Sequence, residues 1–405
     1  MVFGFGRRTA LACSFALAVT ACTADGSAPL GELPASVGAG PSDADVGVLV
    51  VAHAGQGSPA SLSDGPARAV SDAKSALDSG ESALEAAILG VEGMEDDPRF
   101  NAGLGANLRM DGQTIQADAA VMDDANHFGA VAGIRGVRHP VRVAQAVSTT
   151  PHMLIVGAGA QAFADTLELE RGPLVTSQAR EKLAAGWSRL IAGQTPAGWG
   201  EFDWRKHWNY EVPAPTDEAQ ARRLSLGDAA YEAELAAATA AAEAAAEGEV
   251  VADDDADEAA EVAAKLEAAG GETQDTVGVV VRSAEGRYAA ALSTGGTTLA
   301  LRGRVGDVPQ LGAGLYAGPH GAVAATGRGE AILREQVAAE VYRHLSRGVH
   351  PNEAIRRAIR GISPEEGVGV IAVSERGWGA HATSQMAWAA RADGGLVRAD
   401  EAIWR

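Results

Sequence analysis

Apolar positions in this chain fall into two kinds of run. Short, nearly continuous runs rich in Val, Ala and Leu occur at residues 46–52, 153–156, 276–282 and 287–294. Their length and β-branched content read as core strands. Longer stretches, 67–90, 141–149 and 159–169, carry apolar residues at the spacing of one helix face. Breakers separate them. His53-Ala54-Gly55-Gln56-Gly57 reads as a turn, and the Pro98, Gly103 and Gly105 of 96–105 as a shaped loop. Residues 106–122 read as two short strands around an Asp111-Gly112 turn.

The pattern changes after about Gly193. Residues 199–208 are aromatic and irregular, and 217–270 are dominated by Ala and Glu with an acidic run at 253–258. Such a stretch has little apolar face to bury and reads as a solvated helical or disordered linker, bounded at 212–271. Strand pattern then returns as a hairpin. A three-residue loop of Ala284, Glu285 and Gly286 places Ser283 opposite Arg287. Pairing outward in step brings Thr276 opposite Thr294, with Cβ atoms about 4.5–5.5 Å apart. Two hydroxyls thus meet at the start of a strand.

With 405 residues, 46% of them hydrophobic, the chain can build one large domain or two small ones. Its net charge of −20 and lack of a Lys/Arg cluster argue against a nucleic-acid partner. Only Cys13 and Cys22 are present, so the body has no disulfide, Cys metal site or thiol nucleophile. Arg7 and Arg8 precede an apolar segment of signal-peptide length that ends Val19-Thr20-Ala21-Cys22. Residues 1–22 resemble a lipoprotein signal, with Cys22 the lipidated residue. Residues 23–45 read as a flexible tether. The expectation is an exported protein of a bacterial cell envelope, held at the membrane only by its lipid.

Gln274-Asp275-Thr276-Val277-Gly278, followed by Ser293-Thr294-Gly295-Gly296, resembles the plant-type asparaginase / isoaspartyl peptidase family. So do Gly303-Arg304-Val305-Gly306-Asp307 with Gly312-Ala313-Gly314, Thr326-Gly327-Arg328-Gly329-Glu330, 100–105, and Ala117-Asp118-Ala119. The resemblance implies an α/β fold, the four-layer αββα sandwich of the N-terminal-nucleophile hydrolases. It also implies self-cleavage at Asp275–Thr276 into an α subunit, 46–275, and a β subunit, 276–405, paired as a dimer of αβ heterodimers. The chemistry is consistent with that switch. A Thr hydroxyl needs a base beside it, and an α-amine, with a pKa of about 7.7–8.0, can take its proton. Only an N-terminal Thr carries both groups.

The resemblance assigns further roles. Thr294 orients the nucleophile, and the Thr326 hydroxyl and Gly327 N–H hold the oxyanion. Arg304 and Asp307 grip the carboxylate and ammonium of an amino-acid substrate, helped by Val305, Gly306 and Gly329. Asn101 supports the site from its loop. That loop resembles an alkali-cation site, holding Na+ or K+ through the backbone carbonyls of Met94, Glu95, Asp97, Phe100, Ala102 and Leu104; no cofactor is expected for the chemistry. His53 reads as structural. Gly157-Ala158-Gly159, which mimics a dinucleotide fingerprint, lacks the acidic residue a real one needs. The expected substrates are asparagine and β-aspartyl peptides. The alternatives are a glycosylasparaginase-type amidase, whose relatives differ at Gly295, or an inactive amino-acid-binding surface lipoprotein.

Overall fold

The structure, a computed structural model, describes residues 38–39, 47–171, 175–196, 198–233, 236–237, 239, 276–392 and 395–401. All belong to one compact unit. The expected targeting segment with Cys22, nearly all of the expected tether, Asp275 and most of the expected linker lie outside the described residues.

The first half runs β1 (Gly38–Ala39), β2 (Leu49–Gln56), α1 (Asp64–Asp78), α2 (Ala83–Glu95), β3 (Ala117–Asp123) and β4 (Phe128–Ile134). It continues through α3 (Pro140–Ser148), β5 (Leu154–Val156), α4 (Gly157–Asp165), α5 (Ser177–Ile191) and α6 (Glu218–Leu226). The second half begins with β6 (Val277–Arg282), β7 (Tyr288–Thr294), β8 (Leu315–Gly318) and β9 (Gly321–Gly327). Helices α7 (Gly329–Glu335), α8 (Val337–Leu345) and α9 (Pro351–Ile359) follow, then β10 (Val368–Ser374), β11 (Gly377–Ala382), β12 (Met386–Ala392) and β13 (Gly395–Arg398).

Two sheets form, an eight-stranded one ordered β13-β12-β2-β6-β7-β3-β4-β5 and a five-stranded one ordered β1-β11-β10-β9-β8. Their central strands are apolar on both faces, which is why those segments read as continuous runs rather than alternating ones. Val277, Val279 and Val281 pack under helices α1–α4, whereas Val280 and Leu292 meet Ala322, Ala324 and Ile371 of the other sheet. A third core joins the second sheet to α8 and α9. The expected αββα sandwich is therefore present. A fourth cluster, around Trp187, Trp204 and Tyr210, is built on α5.

The predicted hairpin keeps its register, pairing Val277 with Ser293 and Arg282 with Tyr288. Gly286, at φ +76°, supplies the left-handed residue that the loop requires. Other elements differ. β2 runs through His53 to Gln56 instead of turning, because β6 and β12 give it ladder partners on both sides. The 67–90 helix is two helices: α1 stops before Gly80, and the Ser82 hydroxyl caps α2 by accepting the Glu85 N–H at 3.1 Å. Residues 106–122 hold one strand, not two. The Asp111 carboxylate instead accepts the Gln113 and Thr114 N–H groups and folds that segment into a tight turn. The first part of the expected linker is docked. Ala221 and Ser225 of α6 are buried, and α6 packs on α5 because these small side chains permit close approach.

Candidate active site

Strand alternation assembles the site. The residues of β2, β3, β7 and β9 that face the gap between the sheets include Val51, Ala120, Leu292 and Ala324. Continuing the same alternation toward one end of the sandwich reaches His53, Asp118, Thr294 and Thr326. Thr276, just before β6, shares the face of Val280. Residues from 53 to 326 thus meet at one end of the inter-sheet core, and all five are buried.

The Thr276 hydroxyl lies 3.4 Å from the Thr294 hydroxyl. Thr294 Oγ1 also accepts the Gly296 N–H at 3.0 Å, which holds its position. Asn101 completes the support: its Nδ2 donates to the Gly296 carbonyl at 2.6 Å, and Asn107 Nδ2 reaches the same oxygen at 3.0 Å. The loop carrying Asn101 therefore fixes the turn after Thr294. Across the gap, Thr326 Oγ1 accepts the Gln56 N–H at 3.1 Å, tying β9 to the extended end of β2. Gly327 has φ +126°, and a Cβ there would lie 2.1 Å from the Gly367 carbonyl oxygen. Only glycine lets the backbone pass at that point.

His53 is fully buried. Desolvation drives its pKa down to about 3, with only the Thr276 backbone pulling it back. Neither ring nitrogen has a hydrogen-bond partner of normal geometry among the described residues. Burial favours the neutral ring, which packs against Gly278.

Arg304, Asp307 and Gly329 lie together. A Cβ on Gly329 would approach Arg304 Nη2 at 2.7 Å and Asp307 Oδ1 at 3.0 Å. Val305 is half-buried and Gly306 buried between them. The Arg304 guanidinium is engaged by Glu330, with both carboxylate oxygens 3.0 Å from Nη2. Burial raises the Glu330 pKa, but Arg304 outweighs it, and the net direction is down. Asp307 has the opposite balance. Burial pushes its pKa up to about 7, and Oδ2 has no partner among the described residues.

Sequence reasoning gave no role to Asp118, Arg109, Asn107 or Glu330. Asp118 and Arg109 are fully buried. Burial raises the pKa of the first and lowers that of the second, and their mutual attraction opposes both shifts. Arg109 Nη2 donates to the Gln116 carbonyl at 3.1 Å and reaches the Arg304 carbonyl at 3.4 Å, backing the 303–307 loop. The available signal was Asp118 itself, an acid directly ahead of the apolar run Ala119-Ala120-Val121-Met122.

In the 94–104 loop, the carbonyls of Met94, Asp97, Phe100 and Ala102 each accept a backbone N–H. Glu95 is buried, with its pKa raised well above the carboxylate range by desolvation, and it accepts the Val141 N–H at 3.1 Å. The Leu104 carbonyl lies in the short 3-10 turn Gly103–Gly105. Among the described residues no cluster of three or more His, Cys, Asp or Glu side chains could hold a metal.

A four-layer sandwich with a threonine at the mouth of its central hairpin defines an amidohydrolase of the N-terminal-nucleophile class. The sequence profile of the asparaginase family matches residues 49–195 and 216–398, and the chain belongs to that family. It is 31% identical over 324 residues to an isoaspartyl peptidase/L-asparaginase of Rattus norvegicus, covering 78% of this chain and 76% of that protein. An isoaspartyl peptidase of Salmonella typhimurium is 33% identical over 74% of this chain and 77% of its own length. A plant-type L-asparaginase of Pyrococcus abyssi is 28% identical over 73% and 78%.

Proposed function

We propose that the protein is an isoaspartyl peptidase and L-asparaginase that hydrolyses the side-chain amide of asparagine and of β-aspartyl peptides through Thr276. The observation that carries this is the meeting of Thr276, Thr294 and Thr326 in the buried gap between the two sheets, with Arg304 and Asp307 gathered at Gly329, three residues after Thr326. Maturation comes first: the Thr276 hydroxyl attacks the Asp275 carbonyl carbon, the peptide becomes an ester, and water releases the α subunit. The freed α-amine then takes the Thr276 hydroxyl proton as the oxygen attacks the substrate amide. Thr326 and the Gly327 N–H hold the oxyanion, the proton passes to the leaving amine, and water hydrolyses the β-aspartyl ester. For a substrate to bind, its α-carboxylate must displace or share Arg304 with Glu330, while its ammonium restores a charged partner to Asp307.

The remaining roles follow. Carbonyls of Glu95 and Arg138 crowd Gly103, and those of Phe100 and Pro98 crowd Gly105. The loop is assigned a structural Na+ or K+ on its likeness to the family's cation loop, and such carbonyl ligands need no particular side chain. The mature enzyme is a dimer of αβ heterodimers, exported and anchored by lipid on Cys22. N-terminal sequencing of the purified chains, with ammonia release from asparagine, tests the central reading. A small chain beginning at Thr276 is expected. Activity in an uncut chain, or a small chain beginning elsewhere, refutes it.

A further inference from the structure

A groove of about 400 Å³ opens beside the proposed substrate anchor. Its walls include Arg304 and Glu330 together with Trp199, Phe202, Leu301, Arg302 and Arg328. Trp199 and Phe202 come from residues 196–215, the one stretch between the two segments matched by the family profile. This wall is therefore an element that the profile does not account for.

The wall is anchored. Tyr210 donates to the Ala300 carbonyl at 2.6 Å, and Asn209 Nδ2 to the Arg302 carbonyl at 2.8 Å. Trp187, Trp204, Trp208 and Tyr210 form a ring cluster with successive centroids 5.0, 6.0 and 4.9 Å apart. That cluster is mostly buried and supports the segment from below. Trp199 and Phe202, edge to face at 5.4 Å, are left half-exposed at the groove. Two rings packed on the edge of that cluster, partly exposed and Phe202 also stacked on His207, thus sit beside two cations. Among the described residues Arg302 pairs with an exposed Glu211 at 3.5 Å, and Arg328 shares Glu366 with Arg334. Such a patch is unexpected in a chain of net charge −20.

We propose that this groove is a subsite for the leaving residue, and that it selects β-aspartyl dipeptides whose second residue is aromatic or large and apolar with a free carboxylate. The inference rests on the amidase reading above. Arg304 and Asp307 take the two charges of the aspartyl unit, so the rest of the dipeptide lies beyond the scissile nitrogen. The rings pack against its side chain and the arginines pair its carboxylate. Hydrolysis places the water oxygen on the β-carboxylate of aspartate and leaves the second residue as its free amine. Asparagine, whose leaving group is ammonia, has nothing to place in the groove and serves as the internal reference.

The test compares kcat/KM of the matured protein on β-aspartyl-phenylalanine, β-aspartyl-alanine and asparagine. The expected preference for phenylalanine over alanine is about tenfold or more. Trp199→Ala and Phe202→Ala should each lower that ratio several-fold, whereas Trp199→Tyr keeps it, separating loss of the ring from misfolding. Amidation of the phenylalanine carboxylate should also lower it. Turnover without preference, or a preference unchanged in both alanine variants, overturns the subsite alone. No turnover of any of the three by the cleaved protein overturns the amidase reading with it.

Discussion

Asp307→Asn isolates the cost of keeping a carboxylate in the proposed substrate anchor. Burial raises the Asp307 pKa to about 7 from an ordinary 3.8. The folded state therefore binds a proton more tightly than the unfolded chain. The penalty on stability is absent below about pH 4, grows between 3.8 and 7, and is complete above 7. At 1.36 kcal/mol per pH unit, that interval amounts to about 4 kcal/mol in the substrate-free protein. Asparagine has nearly the same shape and does not ionise. Asp307→Asn should thus raise the melting temperature by several degrees at about pH 8.5, with less than half of that gain at about pH 5. The same variant should lose most hydrolysis, because the substrate ammonium loses its ionic partner. Thermal unfolding of wild type and variant at the two pH values, without ligand, measures the difference, and other titrating groups cancel. A gain equal at both pH values, or a variant less stable at the higher one, would refute the argument that burial destabilises this carboxylate.

Arg304→Ala should retain some self-cleavage, whose groups are already tethered, yet lose about 30-fold to several thousand-fold in asparagine and β-aspartyl hydrolysis; gels and ammonia assays run side by side check this, with Thr276→Ala blocking both events. Gly327→Ala should cost roughly 100–1,000-fold in kcat, since its Cβ would strike the Gly367 carbonyl and displace the oxyanion donors; single-turnover rates on the matured protein measure the loss. Cys22→Ser should move the protein from the membrane to the soluble fraction with its activity intact, as fractionation would show.

Pattern and register alone determined that Thr276 and Thr294 lie side by side. Strand alternation has a period of two, and a Gly-containing three-residue loop sets the pairing, so Thr276 opposite Thr294 followed from counting. The two-sided apolar runs likewise announced strands sandwiched between layers. Motif order supplied the fold and the names of the substrate residues. Tertiary structure decided the remainder. That β2 continues through His53 to Gln56 depends on partners more than 200 residues away, and no local signal in His53-Ala54-Gly55-Gln56 competes with its glycines. Ser225 and Ala221 look like linker residues until α5 is placed beneath them. The partnership of Arg304 with Glu330, and the opposite pKa shifts of Glu330 and Asp307, arise from burial and proximity between the start of α7 and the 303–307 loop. Desolvation and long-range charge depend on what surrounds a side chain, and that is a property of the packed molecule rather than of any stretch of the chain.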